Sequence, residues 1–209
     1  MTFWYDPFMN QTLEKDRLIL ASISPRRKYL LEQAGIDFDV IPSAVNERSA
    51  PLDRPRRYTA ALSLAKARDV AQRHPGRWVL GADTIVAIDD QILGKPRNRN
   101  SARSMLEQLS GQTHQVYTGF SICHRGGITQ KNEVVATDVT FKSRGGEEID
   151  LESHTDEPFD KAGAYAMQGL GTFLVRRITG SYTNVVGLPV CEVIEYLLRH
   201  QVIRMPQRQ

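Results

Sequence analysis

Hydrophobic and polar positions along this chain fall into blocks whose period changes, and the blocks define its expected elements. Arg17-Leu18-Ile19-Leu20-Ala21 is a short apolar run, the mark of a buried strand. A helix follows to about Ala34, with Ser24 suited to the N-cap, Pro25 to the first helical position and Gly35 as the stop. Phe38 to Ile41 reads as a second strand ended by Pro42. Ala60, Leu64, Ala67 and Ala71 lie at helical spacing in a helix expected from Tyr58 to Gln72, which His74-Pro75-Gly76 closes. The strand from Trp78 to Ala82 runs into Asp83 and Thr84. β-Branched character continues through Ile85, Val86 and Ile88, and Asp89-Asp90 reads as a hairpin turn leading to Ile92 and Leu93.

Further along, a helix from Ser101 to Leu109 places Ala102, Met105, Leu106 and Leu109 on one face. Two strands, Gln115 to His124 and Val134 to Phe141, are joined around Gly126-Gly127. In the second, Val135, Thr137, Val139 and Phe141 alternate as a half-buried antiparallel strand requires. A short helix is expected near Glu147 to Ser153 and a strand from Phe173 to Ile178. A last helix, from about Pro189 to Arg199, has Val190, Val193, Ile194, Leu197 and Leu198 as its apolar face. A β-α-β opening followed by hairpins predicts an α/β protein with a mixed sheet. The expected organisation is a flexible extension at 1–16, one folding unit over 17–200 and a polar tail at 201–209. No internal repeat or low-complexity linker interrupts it.

Composition narrows the function. With 209 residues, 41% hydrophobic and 24% charged, the chain can build a sizeable core. Its net charge of +3 is a mild, dispersed excess that suits a small anionic substrate but not the basic stripe of a nucleic-acid binder. The two cysteines, Cys123 and Cys191, have no metal-ligand spacing, so a reducing compartment is expected. Asp6, Pro7, Asn10 and Gln11 break up the aromatic residues Phe3, Trp4, Tyr5 and Phe8, which excludes a signal-peptide core, and no apolar run is long enough for a bilayer. A cytoplasmic protein without membrane or nucleic-acid partners is the expectation.

Several segments carry candidate chemistry. The strand-loop-helix from Leu20 to Tyr29 offers a helix N-terminus, the hydroxyls of Ser22 and Ser24 and the guanidinium groups of Arg26 and Arg27, a set suited to phosphate. The same residues could merely cap a helix and face water, and the glycines of a P-loop are missing. Asp83 follows an apolar strand, at the carboxyl end where α/β sheets present ligand crevices, and could hold a divalent cation or take a proton from water. It could equally cap a turn. Lys95, in the rigid Gly94-Lys95-Pro96, and Lys66, on a helix whose other face is apolar, could reach phosphate or be ordinary surface lysines. Glu47 is open between a second metal-proximal carboxylate and a solvated loop residue. Two small-residue segments, 160–169 and 180–189, could let backbone approach a ligand or form tight turns. His114 and the other histidines show no ligand or triad spacing and read as structural or exposed.

Taken in order, these segments resemble the Maf family of nucleoside triphosphate pyrophosphatases from about Leu18 to Leu198. The matching motifs are Ser22-x-Ser24-Pro25-Arg26-Arg27 with Leu30-Leu31, Lys66-Ala67, Gly81-Ala82-Asp83-Thr84, Gly94-Lys95-Pro96 and Ser110-Gly111-x-x-His114-x-Val116-Tyr117-Thr118-Gly119. Asp160 to Tyr165 and Gly180-Ser181-Tyr182 with Val186-Gly187-Leu188-Pro189 complete the set. The resemblance implies an elongated mixed sheet flanked by helices, two lobes around a central cleft, and a homodimer. It implies hydrolysis of the bond between α- and β-phosphates with a divalent cation, Mg²⁺ or Mn²⁺. Asp83 would be the proton acceptor, acting on a water that attacks the α-phosphorus. Ser22, Ser24, Arg26, Arg27, Lys66 and Lys95 would hold phosphates, and Glu47 would join Asp83 near the metal. Arg26, Thr84 and Gln168 match the branch that acts on dTTP and UTP, whereas the 7-methyl-GTP branch typically carries Gln and Glu where Thr84 and Gln168 stand. The extension at 1–16 departs from the family pattern. Competing expectations are a broader pyrophosphatase for modified or non-canonical nucleotides and a nucleotide-binding regulator of septum formation.

Overall fold

The computed structural model describes residues 17–47, 54–143, 162–165 and 173–203. The expected extension at 1–16, the helix near 147–153, the tail beyond residue 203 and Gln168 lie outside these residues. The chain opens with β1 (Leu18–Leu20), α1 (Pro25–Gln33), β2 (Phe38–Val40), α2 (Pro55–Arg73), β3 (Val79–Ile88) and β4 (Gln91–Leu93). It continues with α3 (Arg99–Leu109), β5 (Thr113–His124), β6 (Ile128–Phe141), β7 (Val175–Thr179), α4 (Tyr182–Val186) and α5 (Val190–Arg199). The class is the expected one, α/β with a mixed sheet.

The strand order is β2-β1-β3-β5-β6-β7, with β4 also on β3. β1 pairs in parallel with β2 and β3, and the remaining pairs are antiparallel. One property of this sheet positions the site. β5 runs along one edge of β3 from Val79 to Ala87, so β1 and β4 must share the other edge. β1 pairs there at Val79 and Leu80, and β4 begins at Val86. Gly81 to Ile85 therefore have no ladder partner on that side, and Asp83 and Thr84 occupy the gap. The expected turn at Asp89-Asp90 is present, both residues having the left-handed φ values (48° and 61°) that a tight hairpin turn needs.

Leu80 and Ala82 face a core with Leu18, Leu20, Leu31, Phe120, Leu188 and Leu197. On the same face of β3, four residues further on, Val86 and Ile88 join a separate core with Leu106, Val116, Val139 and Phe141. These two cores are the two lobes. A belt of buried polar side chains, Thr118, Thr137 and Asn184, divides them, and Thr84 bonds into it. α2 covers the opposite face, where Ala67, Val70 and Ala71 meet Val79 and Cys123. It lies very close to the sheet. A Cβ on Gly81 would stand 2.5 Å from the carbonyl oxygen of Ser63 and 2.6 Å from the amide of Ala67, and one on Gly119 would collide with the backbone of Thr59. Only glycine permits that approach.

Several expectations need correction. Asp83 is in the middle of a continuous strand rather than at its carboxyl end; the crevice arises because its neighbours on one edge stop short. The buried face of α2 carries Thr59, Ser63 and Lys66 beside its apolar residues, so Lys66 is not on a solvated side. Ser24 occupies the N-cap position but makes no side-chain capping bond. β6 begins at Ile128, not Val134, because its first residues pair with β5 in a hairpin exposed on one face and only partly buried on the other, with mostly polar side chains. α4 is a short helix in a segment expected to be irregular.

Candidate active site

A cleft of about 550 Å³ opens at the gap in β3, a size suited to a small ligand. Ser22, Ser24, Arg26, Arg27, Glu47, Lys66, Asp83, Thr84 and Lys95 all line it. Every site residue expected from the sequence that lies within the described residues is therefore in one place, although they are spread over more than seventy positions of the chain.

Successive residues of a strand point to opposite faces. Asp83 projects towards α2, where its Oδ1 accepts a hydrogen bond from the ammonium of Lys66 at 2.7 Å. Lys66 Nζ is also 2.7 Å from Glu47 Oε1. The Asp83 and Lys66 side chains are almost fully buried, whereas that of Glu47 is 48% exposed and forms the solvent side of the cluster. Burial opposes ionisation of Glu47, yet the charge and hydrogen bond of Lys66, helped by Lys95 and Arg27, outweigh it and hold the carboxyl below its ordinary value. A buried ammonium needs such partners, since an unpaired one would lose several kcal/mol of hydration. Tyr58, on the first turn of α2, is close enough that Asp83 and Glu47 add to burial in raising its phenol.

Thr84 projects the other way. Arg27 donates from Nη2 to Thr84 Oγ1 at 3.1 Å, from Nη1 to Ser22 Oγ at 3.1 Å and from Nε to the carbonyl of Gly187 at 2.9 Å. It thereby ties the β1–α1 loop, β3 and the α4–α5 junction together. Burial lowers the Arg27 pKa against the pull of Asp83 and Glu47, with the cation retained. Ser22 Oγ also accepts the amide of Ser24 at 3.2 Å, so both its lone pairs are engaged and its own proton remains to donate.

The hydroxyls beyond Thr84 form a directed chain. Thr118 Oγ1 donates to the carbonyl of Asn184 at 3.0 Å, which commits its only proton. Thr84 Oγ1 then donates its one proton either to Thr118 Oγ1 at 2.9 Å or to the carbonyl of Gly187 at 3.3 Å. With Arg27 donating into it, Thr84 offers a further partner an acceptor lone pair and not a proton. Asn184 anchors the far end through Nδ2 to the Val116 carbonyl and Thr137 Oγ1, both at 3.0 Å. Sequence reading meets Thr118 in a family motif, Thr137 as an alternating strand position and Asn184 in the 180–189 segment, but gives none of them a part in the site. The cross-strand register brings Thr118 opposite Thr84, and no local pattern discloses that.

Lys95 is exposed at the rim, and Arg26 is half-buried beside the helix N-terminus. Cationic groups thus surround a carboxylate pair at an open sheet edge. Among the described residues no group of three or more His, Cys, Asp or Glu side chains could hold a metal ion. None of their helices is long and apolar enough to cross a membrane.

Comparison with known proteins gives a consistent result. The sequence profile of the family described as Maf-like protein matches residues 17–200. The chain is 48% identical over 190 residues to a dTTP/UTP pyrophosphatase of Syntrophotalea carbinolica, covering 90% of this chain and 86% of the relative. It is 50% identical over 186 residues to a dTTP/UTP pyrophosphatase of Geobacter metallireducens, covering 88% and 96%. A solved nucleoside-triphosphatase (dITP/XTP pyrophosphatase) of Mycobacterium abscessus aligns over 88% of this chain and 95% of its own, at 13% identity and a TM-score of 0.43. That superposition is too loose to carry residues across.

Proposed function

From the premise that this chain belongs to the Maf family, we propose that it hydrolyses dTTP and UTP to the nucleoside monophosphate and pyrophosphate. The observation that carries the reading is the Glu47–Lys66–Asp83 cluster at the gap in β3, with Arg26, Lys95 and the proton of Ser22 around it. Phosphoryl transfer needs little covalent help from a protein. It needs the charge of the phosphates neutralised and the attacking water positioned.

In this reading Asp83 accepts the proton of a water attacking the α-phosphorus. Lys66, which also pairs with Glu47, fixes the Asp83 carboxylate by bonding Oδ1. Ser22, Ser24, Arg26 and Lys95 take phosphate oxygens. Arg27, whose hydrogen bonds run to Ser22, Thr84 and Gly187, acts mainly by fixing the cleft's shape. Asp83 and Glu47 converge on one ammonium and supply hard oxygen donors. Their carboxylate oxygens are of the type that would hold a divalent cation, Mg²⁺ or Mn²⁺. Such a cation, when bound, neutralises phosphate charge.

The base preference follows from Thr84. Its proton is taken up inside the protein, by Thr118 or by the Gly187 carbonyl, so it presents an acceptor to the cleft. Uracil and thymine carry an N–H at ring position 3, where cytosine carries an acceptor, and Thr84 favours the former. Gln168 lies outside the described residues; its amide, with both donor and acceptor, suits by its chemistry a pyrimidine edge carrying a carbonyl and an N–H. The broader house-cleaning and regulatory readings have no separate observation in their favour. A homodimer and a cytoplasmic location complete the proposal. The location is supported by unpaired Cys123 and Cys191 and the homodimer by the family resemblance.

The test is a panel of nucleoside triphosphates assayed for pyrophosphate, with product identification, with and without added Mg²⁺ or Mn²⁺. Release of pyrophosphate from dTTP and UTP ahead of dCTP and CTP is expected. Equal turnover of the cytosine nucleotides would remove the Thr84 argument, and no pyrophosphate from any triphosphate would remove the proposal.

A further inference from the structure

Tyr165 stands in the wall of the cleft, which Val86 and Val116 also line. Its hydroxyl is 2.7 Å from Nε2 of His114, a residue of β5 with no exposed surface. The two rings and Phe141 meet edge-on, with centroids 4.7 to 5.3 Å apart. Burial holds His114 neutral, its pKa lowered to about 4, and pushes the Tyr165 phenol up. Nδ1 of His114 has no partner among the described residues. A lobe filled otherwise with Leu, Val and Phe would hold together at least as well with apolar rings here, because removing both partners of a buried polar pair is commonly neutral or stabilising. The pair therefore calls for a purpose other than stability.

The backbone leading to Tyr165 supplies one. Gly163 and Ala164 both have left-handed φ, 70° and 60°, and for alanine this costs about 1 kcal/mol or more. A Cβ on Gly163 would stand 3.0 Å from three carbons of Val86. The amide of Gly163 donates to the carbonyl of Gly94 at 3.1 Å, and Gly94 immediately precedes Lys95. We infer that His114 is a positioning residue. By holding the Tyr165 hydroxyl it fixes the left-handed Gly163–Ala164 turn, and through the Gly163–Gly94 hydrogen bond it fixes the loop that presents Lys95 to the cleft. The inference rests on the proposed function in one respect, that Lys95 meets the triphosphate.

Two readouts test it independently. Hydrogen exchange does not require the activity. Y165F and H114L should speed exchange of the Gly163 amide while leaving β5 and β6 protected, and H114Q, whose amide reaches the position of Nε2, should restore protection. The second readout is kcat/KM for pyrophosphate release. Y165F keeps the ring in the cleft wall, and a displaced Lys95 loop should lower its kcat/KM by about tenfold to a hundredfold, as for a catalytic group misplaced by about 1 Å. In a K95A background the same change should cost almost nothing further, because the two then act through one group. A fold that was merely weakened would lose the same factor in both backgrounds. Full activity and unchanged Gly163 exchange in the apolar pair H114L/Y165F would overturn the inference. Inactive wild-type protein with the expected exchange pattern would instead remove the function and keep the positioning role of His114.

Discussion

Asp83 and Thr84 are neighbours in the chain, yet they belong to two chemically different regions. The Asp83 side is ionic and shallow in sequence: Lys66 and Glu47 lie within forty residues and meet at one ammonium. The Thr84 side is a neutral chain of hydroxyls through Thr118 to the Asn184 carbonyl, gathered from distant segments, with Arg27 as its only charge among the described partners. Strand alternation separates the two chemistries by placing them on opposite faces. The gap between β1 and β4 lets both reach the same cleft. Reaction and recognition can therefore be altered separately by changing adjacent residues, and that separation is what the following experiments probe.

The largest effect is expected on the ionic side. Asp83→Asn retains a hydrogen-bonding side chain but removes the proton acceptor, and kcat should fall by about 10²- to 10⁴-fold. Binding of a triphosphate, followed by calorimetry, should persist. Turnover near that of the wild type would mean that Asp83 is not the base.

Lowering the pH acts on the other side. His114 shares the face of Thr84 and is neutral in the fold, with a pKa of about 4 against an ordinary 6.5. Below pH 6.5 the unfolded chain binds the proton more readily than the folded one. Stability should then decline from about pH 6.5 and stop declining on this account below about pH 4. The difference corresponds to about 3 kcal/mol. Urea midpoints measured across that range should show this slope in wild type and a much shallower one in H114Q. Parallel slopes would contradict the neutral, buried imidazole.

Gly81→Ala examines the spacing between the two regions. Its new Cβ meets backbone atoms of α2, not a flexible side-chain end, so the helix must move. About 1–3 kcal/mol of stability should be lost. Activity should drop as well, because α2 carries Lys66. An active, fully stable G81A would show that the closeness of α2 to β3 is immaterial. The smallest effect is expected from Thr84→Val, about 1 kcal/mol of stability for the lost hydroxyl bonds. Discrimination between uracil and cytosine nucleotides should narrow while kcat for UTP changes little. A collapse in kcat comparable to that of D83N would erase the distinction between the two sides.

Sequence patterns disclosed one half of this comparison better than the other. Asp83 and Lys95 lie in short, recognisable settings, Gly81-Ala82-Asp83-Thr84 and Gly94-Lys95-Pro96, whereas Glu47 and Lys66 gained weight only from the order of the motifs along the chain. Their burial was not legible: Lys66 stays open between a phosphate ligand and a surface lysine until α2 is placed against Gly81 and Gly119. Thr118 and Thr137 stand in a motif and a strand pattern, but their joining into a hydroxyl belt was not legible. Thr118, Thr137 and Asn184 acquire meaning only through pairing registers between strands far apart in the chain. Long elements such as α2, α3 and α5 were placed within a few residues. α4, a single five-residue turn rich in β-branched side chains, has too little periodicity to announce itself. The gap in β3 depends on where β1 and β4 end, which is a property of the sheet and not of any one strand.

The most direct test of the central claim follows the oxygen of the attacking water. Hydrolysis of dTTP or UTP in ¹⁸O-labelled water should place the label in the nucleoside monophosphate and none in the pyrophosphate, at a rate that collapses in D83N. Label in the pyrophosphate, or release of orthophosphate in its place, would contradict attack at the α-phosphorus and the role of Asp83 in directing it.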